Sequence, residues 1–460
     1  MRRFQAIKRH EIYLLPPSIQ DWLPERHLAG FIVDIVDKLD LSDIERTYGN
    51  KGTEAYHPAL LLSIIIYGYA TGVFSSRKLE RATYDLIAFR FIAGDAHPDH
   101  DTLNTFRKRF VKEVQALMLQ VLVIARTMDM LKLGNIALDG SKIKANASKH
   151  SALSYGHIQK QEAHLKAEVA KLIALDEAAD NQQIPDGMDL PAEIARREDR
   201  LAAIAIAKAK IEERAQQRFA QEQADYAAKI AKRAKKAAQS GKPPRGKPPV
   251  APKPEDAVGD KDQINLTDEE SRIMKTAGGG FEQCYNGQLA VDMESLLIVA
   301  TNTVQAANDK QQIEPMLNVL KPITQMLGKP ETIVADTGFY SETNINLCAA
   351  SGINAMIAVK REEHHPDPMA RYTEPPPCKD DATPLEAMHH TLQTMEGRAL
   401  YAQRKCTVEP VIGIVKSVMG FRQFSLRGLI NVRGELNLVA LACNLKRMFV
   451  LMGSLKVANA

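Results

Sequence analysis

Asn135-Ile-Ala-Leu-Asp139 and Glu331-Thr-Ile-Val-Ala-Asp336 decide how this chain is read. Each is a short apolar run that ends on an acid and leads into a small or flexible residue, Gly140 in one case and Thr337-Gly338 in the other. Short, nearly continuous apolar runs predict buried strands. Ligands in α/β sheets sit at strand C-termini, so Asp139 and Asp336 form a candidate pair. Two carboxylates on neighbouring strand ends repel, and a hard divalent cation relieves the repulsion by taking their oxygens as ligands. The plainer reading is that each aspartate only caps its own turn.

Working outward, Gln288–Asp292 and Leu296–Thr303 read as neighbouring strands joined by a turn at Met293–Ser295. Asp309–Leu327 reads as an amphipathic helix, Glu342–Ser351 as a second helix, and Ile353–Val359 as a further strand. A Pro- and His-rich loop spans Glu362–Pro384, and terminal helices run to about Met452. That order predicts an α/β fold, a mixed sheet with flanking helices. Upstream, apolar periodicity over Leu28–Leu39, Pro58–Phe74, Ser76–Gly94 and Asp101–Met130 predicts an all-α domain over residues 1–130. Asp101 is its expected N-cap and Gly94 an expected helix end. Arg77, Lys78, Arg81, Arg107, Lys108 and Arg109 read as a solvated face that could also meet phosphates.

From about His157 to Ala238 the chain is rich in Ala, Glu, Gln, Lys and Arg, with a break near Asn181–Pro191. It predicts two long helices in an antiparallel hairpin. Its downstream end carries Lys229, Lys232, Arg233, Lys235, Lys236, Lys242, Arg245, Lys247 and Lys253 with no acid among them, and Pro243-Pro244, Pro248-Pro249 and Pro252 make a stiff linker.

Composition sets the outer limits. Four hundred and sixty residues, 45% hydrophobic and 25% charged, suffice for a real core. Sixty Lys and Arg against 56 Asp and Glu leave a net charge of +4, too mild to imply a nucleic-acid partner by itself. Cys284, Cys348, Cys378, Cys406 and Cys443 are scattered with no Cys-x-x-Cys, which argues against a disulfide framework and a structural zinc site. His364-His365 and His389-His390 lack a cysteine partner for zinc. The most apolar run, Ala59–Phe74, is short for a membrane helix, so the expectation is a soluble, cytoplasmic protein with no membrane partner.

A third chemical feature is Tyr401-Ala-Gln-Arg404-Lys-Cys-Thr-Val-Glu409-Pro410, leading on to Lys416. A carboxylate beside Arg and Lys can ligate a metal while the cations hold phosphates. Asp139, Asp336 and Glu409, with this Tyr-Arg-Glu-Lys arrangement, resemble the Asp-Asp-Glu transposases of bacterial insertion sequences. The likeness extends over Leu138–Asn146, Ser271–Lys275, Tyr285–Asp292, Ala335–Tyr340, Phe421–Arg447 and His57-Pro-Ala-Leu-Leu. Within that family the chain most resembles the branch with a helical insertion in its catalytic core. Here four residues, where that signature has three, separate Arg404 from Glu409, and Pro410 follows the glutamate. A pre-proline residue is pushed out of the α region, so Arg404 and Glu409 are not expected to share one unbroken helix.

The resemblance implies a ribonuclease H-like catalytic domain over 131–154 and 262–460, an inserted hairpin over 155–261, and DNA-end recognition by residues 1–130. It further implies two Mg²⁺ ions, which Mn²⁺ could replace, held by Asp139, Asp336 and Glu409, with Tyr401, Arg404, Lys416 and Arg427 on DNA. Its partners are double-stranded DNA, as terminal inverted repeats and target, and a second copy in a homodimer assembled on DNA beside the nucleoid. A metal-dependent endonuclease that never joins ends, and a decayed DNA-binding copy, are the alternatives. Glu435, in the apolar context Arg433-Gly-Glu-Leu-Asn-Leu, is expected to pair with Arg433 or another basic group and to play a structural part, leaving Glu409 to complete the site.

Overall fold

The structure, a computed structural model, describes residues 21, 23–49, 55–177, 189–240, 246–253, 258–276, 278–359, 369, 373–379 and 381–458. They form two compact units, residues 1–145 with 285–460, and residues 146–284. In chain order the elements begin with α1 (Leu28–Val36), α2 (Ser42–Glu45), α3 (Pro58–Thr71), α4 (Ser76–Asp85), α5 (Ile87–Ala93), α6 (His100–Arg109) and α7 (Glu113–Thr127). There follow β1 (Asn135–Lys144), β2 (Ala152–Ser154), α8 (Tyr155–Glu177), α9 (Leu190–Ser240), β3 (Gln263–Asn265), β4 (Arg272–Lys275), β5 (Phe281–Asp292) and β6 (Ile298–Val304). The chain continues through α10 (Ile313–Leu327), β7 (Thr332–Ala335), α11 (Glu342–Ala350), β8 (Asn354–Ile357), α12 (Pro384–Gln393), α13 (Met395–Ala402), α14 (Val408–Gly413) and α15 (Leu429–Ala458).

The N-terminal helices follow their local signals with several corrections, one being that 101–130 is two helices, α6 and α7, parted by a turn at 110–112. Pro58 opens α3 behind His57, whose ring nitrogen accepts from the Ala59 N–H, and Gly94 ends α5 in the left-handed conformation. The stretch 76–94 is two helices because Leu86 is extended between them. The N-cap of α6 is Asp99, not Asp101: its carboxylate accepts from the Thr102 N–H at 2.8 Å, and Asp101 falls in the first turn. Arg107 also departs from the solvated face expected of it. Its guanidinium turns inward to the Tyr69 hydroxyl (3.0 Å) and the Phe74 carbonyl (2.9 Å).

In the first unit the strands lie in the order β6-β5-β1-β7-β8. β5 and β6 are antiparallel, while β1 is parallel to β7 and β7 to β8, giving the expected mixed sheet with helices around it. Every residue of β7 is buried, as a parallel strand covered on both faces requires. Asp139 does not end its strand, since β1 runs on to Lys144, whose N–H and C=O pair with Arg422 and Phe424. What ends is the ladder to β7, at Leu138 opposite Ala335. Asp139 and Asp336 are therefore the first residues past the end of the β1–β7 ladder, Asp139 still within β1 and Asp336 just after β7.

The free edge of β6 would otherwise offer unpaired backbone groups. Helix α15 covers it: Asn444 both donates to and accepts from Ile298 at 2.8 Å, Arg433 donates to the Thr303 carbonyl, and Arg447 to that of Ser295. Gly434 brings this helix onto Val111, where a Cβ would lie 1.9 Å from a valine methyl. Leu429–Gly453 is long and apolar enough to cross a membrane (mean hydropathy 1.4), more so than the Ala59–Phe74 run, but most of it is buried inside the protein.

In the second unit α8 packs on α9 in the opposite direction. Tyr155 meets Glu212, Glu162 meets Lys208 and Glu168 meets Arg197, around a small core of Leu153, Ile158, Ile204, Ala207, Ile211 and Ile264. β2 pairs with β3, and β4 with the start of β5. Lys229, Lys232, Lys235 and Lys236 are exposed along the end of α9, whereas Arg233 folds back onto the carbonyls of Gly246 and Lys247. Lys242 and Arg245 fall outside the described residues. All five cysteines are free; Cys284, Cys348 and Cys443 are buried, and burial pushes the Cys443 thiol up to about 12.

Glu435 is fully buried and structural, but its partner is not Arg433. The carboxylate accepts from the Tyr69 hydroxyl (2.9 Å) and from the N–H groups of Ser425 and Leu426 (3.0 and 2.9 Å), fastening α15 to α3 and to the segment paired with β1. Burial, and then the Glu435 charge, push the Tyr69 phenol well above its ordinary range. Glu435→Gln sets an amide N–H₂ against these donors, so it should cost about 2–4 kcal/mol, the scale for a buried donor left unsatisfied in a charged network. Urea unfolding measures this, and a loss below roughly 0.5 kcal/mol would remove the network from the fold's supports.

Candidate active site

Both aspartates at the end of the β1–β7 ladder also cap their own backbone, so the plain reading holds alongside the chemical one. Asp139 Oδ1 accepts from the Gly140 N–H at 2.7 Å, and Asp336 Oδ1 accepts from the Gly338 N–H at 2.9 Å. These bonds fix the carboxylates without consuming every lone pair. Burial pushes the Asp139 carboxyl up to about 6; the Gly140 N–H works against that shift, and the Asp336 charge reinforces it. The two aspartates are thus electrostatically close.

Arg404 supplies the countercharge. Its guanidinium lies 3.4 Å from Asp139 Oδ2 and 2.9 Å from Glu409 Oε1, bridging the first and last acids of the sequence motif. Arg404 is almost fully buried, and its Nε finds no partner among the described residues. The helix is interrupted between Arg404 and Glu409, as Pro410 predicted: a 3₁₀ turn, Gln403–Cys406, gives way at Thr407 (φ −114°, ψ −81°) to α14. The break changes the direction of the backbone, and the arginine five residues upstream reaches the glutamate. Glu409 and Lys416 do not share one regular helix either, because α14 passes into a π-helical stretch, Ile414–Val418. Lys416 Nζ binds Ser141 Oγ and the Lys142 carbonyl, on β1 just beyond Asp139.

Five of the residues singled out from sequence therefore converge: Asp139, Asp336, Arg404, Glu409 and Lys416. Tyr401, half-buried on α13, and Arg427, exposed before α15, are not among the side chains these bonds join. His390 Nε2 lies against the Pro376 carbonyl, and His364-His365 fall outside the described residues.

One residue of the site escaped the sequence reading. Asp309, taken as the start of a helix, precedes α10 in a turn, and its charge also reaches Asp139. Asn286 Nδ2 and Gln288 Nε2 both donate to its Oδ1, at 2.7 and 2.6 Å. The available signal was the Asn-Gly-Gln of 286–288: two amides on one face of an apolar strand call for a buried partner.

Hard oxygen donors around a guanidinium that already spans two of them are a chemically fitting set for a divalent cation, although among the described residues no three acid, His or Cys side chains close on one point as they stand.

Two family models match the chain: a Transposase domain (DUF772) over residues 17–109 and a Transposase DDE domain over residues 251–445. The first covers α1 to α6; the second includes Asp309, Asp336, Arg404, Glu409 and Lys416 but begins after Asp139. The two matches define a transposase of the DDE class. The chain belongs to the DDE transposases of insertion sequences. No curated protein and no solved structure matches it.

Arg404 couples two carboxylates, one of them half exposed, so Arg404→Met should cost about 1–2 kcal/mol, less than a fully buried pair. In a double-mutant cycle with Glu409→Gln the coupling should be roughly 1 kcal/mol, read from urea unfolding. Strict additivity would show that the observed pair carries no energy.

Proposed function

We propose that the protein is a metal-dependent nuclease and strand transferase that cuts and joins the ends of its own element. The observation that carries this reading is the matched placement of Asp139 and Asp336 past the β1–β7 ladder, with Glu409 tied to Asp139 through Arg404. The strand order, with β1 central and both aspartates on neighbouring parallel strands, supports a ribonuclease H-like core. Residues 131–154 and 262–460 would form that catalytic domain, 155–261 an inserted hairpin, and residues 1–130 would help recognise DNA ends.

Asp139, Asp336 and Glu409 would hold two Mg²⁺ ions, or Mn²⁺ in their place. Bound there, the ions would supply Lewis acidity and offset charge in in-line displacement at phosphorus. The chain's own cations serve the DNA. Arg404 has an unspent Nε donor, Lys416 is anchored on β1 beside the acids, and Arg427 and Tyr401 flank them in sequence, so these four would hold and align phosphates. Water, and then a DNA 3′-hydroxyl, would attack phosphodiesters with no covalent enzyme intermediate. The partners are double-stranded DNA, as terminal inverted repeats and target, and a second copy of the chain on DNA in the cytoplasm.

Asp139→Ala or Asp336→Ala should abolish Mg²⁺-dependent cutting of a transposon-end duplex and leave end binding largely intact. Glu409→Gln should keep fold and DNA affinity while losing cleavage and strand transfer. Wild-type rates in Asp336→Ala or Glu409→Gln would overturn the assignment. Cut ends that are never joined would favour a plain nuclease, and binding without any cutting a decayed copy.

The exposed lysines at the end of α9 give a separate expectation. Replacing Lys232, Lys235 and Lys236 by Gln should weaken DNA binding evenly across sequences and flatten its salt dependence, by about one unit of slope for each phosphate no longer neutralised. Arg233 is left out because it is spent on the Gly246 and Lys247 carbonyls. An unchanged slope in a salt titration would make this run an ordinary solvated face.

A further inference from the structure

We infer that Asp309 is a fourth carboxylate of the metal-binding cluster, held over Gly140 by Asn286 and Gln288 so that its free oxygen Oδ2 faces the cation shared by Asp139 and Asp336. The inference rests on the metal-dependent reading above and extends it to a residue outside the Asp-Asp-Glu motif.

Position comes first. A Cβ built on Gly140 would lie 2.4 Å from Asp309 Oδ1 and 2.3 Å from Gln288 Nε2. The carboxylate therefore presses on the backbone one residue after Asp139, in space that only glycine leaves open. A Cβ on Gly338 would in turn lie 2.9 Å from Asp336 Oδ1 and 3.8 Å from Asp309 Cβ. Asp309 thus lies between the backbone leaving Asp139 and the backbone leaving Asp336.

Second, the carboxylate is gripped on one side only. Both amides donate to Oδ1, and among the described residues Oδ2 accepts no hydrogen bond. A carboxylate that served only to satisfy Asn286 and Gln288 would have no reason to sit among other acids, where its charge is repelled.

Third, and independently, Asn286 and Gln288 are fully buried, and their amide oxygens Oδ1 and Oε1 find no partner among the described residues. Each oxygen shares its carbon with the nitrogen bound to Asp309, so both are within two bonds of an atom that touches that carboxylate. Orphaned buried acceptors in a polar pocket call for a donor from outside the chain, such as an ion's water shell. Magnesium keeps several waters when protein carboxylates bind it, and those waters are donors. One ligand, a hydrated divalent cation, therefore satisfies Oδ2 and both orphaned amide oxygens, and offsets the charge of the assembled acids.

The test is Mn²⁺ binding to the full-length protein without DNA, tracked through the loss of the free-ion electron paramagnetic resonance signal, with thermal unfolding alongside. Asp309→Asn keeps size and one acceptor while removing the charge. It should weaken Mn²⁺ binding about 10- to 100-fold, the range seen when groups around a metal site are removed. Its melting temperature without metal should hold or rise, since a like charge has gone. Asp309→Ser is the companion variant should the asparagine misfold, with the same expectation. Asp139→Asn and Asp336→Asn separate the two claims. If they lose Mn²⁺ binding while Asp309→Asn binds as wild type does, the fourth carboxylate is wrong and the three-acid site stands. If the Asp139 and Asp336 variants also bind Mn²⁺ normally, the metal reading fails and this inference falls with it. A sharp drop in melting temperature with unchanged Mn²⁺ affinity would make Asp309 a structural anchor for β5 and overturn the proposal.

Discussion

Like charges held close together repel, and the first unit is arranged around that repulsion. Parallel pairing of β1 with β7 brings Asp139 and Asp336 to matching positions, and Asp309 and Glu409 arrive from the turn before α10 and from α14. Left alone, such a set would protonate or spring apart. The chain answers with fixed donors: the N–H groups of Gly140 and Gly338, the amides of Asn286 and Gln288, and the guanidinium of Arg404. Elements that look unrelated in sequence acquire a common purpose on these terms. The irregular backbone at Thr407 lets Arg404 turn toward Glu409, and the inward amides of β5 exist for Asp309.

Much of this was legible from local pattern. Apolar runs such as Thr332–Ala335 could only be buried strands, and an acid directly after each run marked the ladder's end. Pro410 pointed to a break in the helix, although the break falls at Thr407 and the pre-proline Glu409 is itself helical. What stayed hidden was whatever depends on partners remote in sequence. Nothing near Glu435 indicates that Tyr69 will be its donor, and nothing near Arg107 indicates that it will turn inward to Tyr69 rather than outward to solvent. Asp309 belongs with them: it lies four residues before the start of α10, and its amide donors Asn286 and Gln288 come from a strand more than twenty residues upstream. The strand end of β1 was misplaced because pairing with a segment near Phe424 extends it, and that segment lies far downstream.

The two buried polar clusters divide the work of the unit. Around Glu435, the carboxylate takes donors from Tyr69, Ser425 and Leu426, which ties α15 to α3 and to the stretch before α15. Around Asp139 the matching is incomplete, with orphaned atoms on Arg404, Asn286 and Gln288. Unsatisfied buried groups destabilise a fold, so three of them beside the assembled acids call for an explanation in function.

The stitching of α15 onto β6 has a bearing on how the protein comes into being. The polar side chains that blunt the edge of β6 lie on the last helix, so a ribosome delivers the strand well before its cover. Until then the strand is a bare, adhesive rim. A polypeptide cut short between Glu409 and Leu429, by a frameshift or a stop, keeps Asp139, Asp336 and Glu409 yet leaves that rim open. Such fragments should precipitate or be degraded, so that damage to the final stretch of the gene silences the protein as surely as losing an acid.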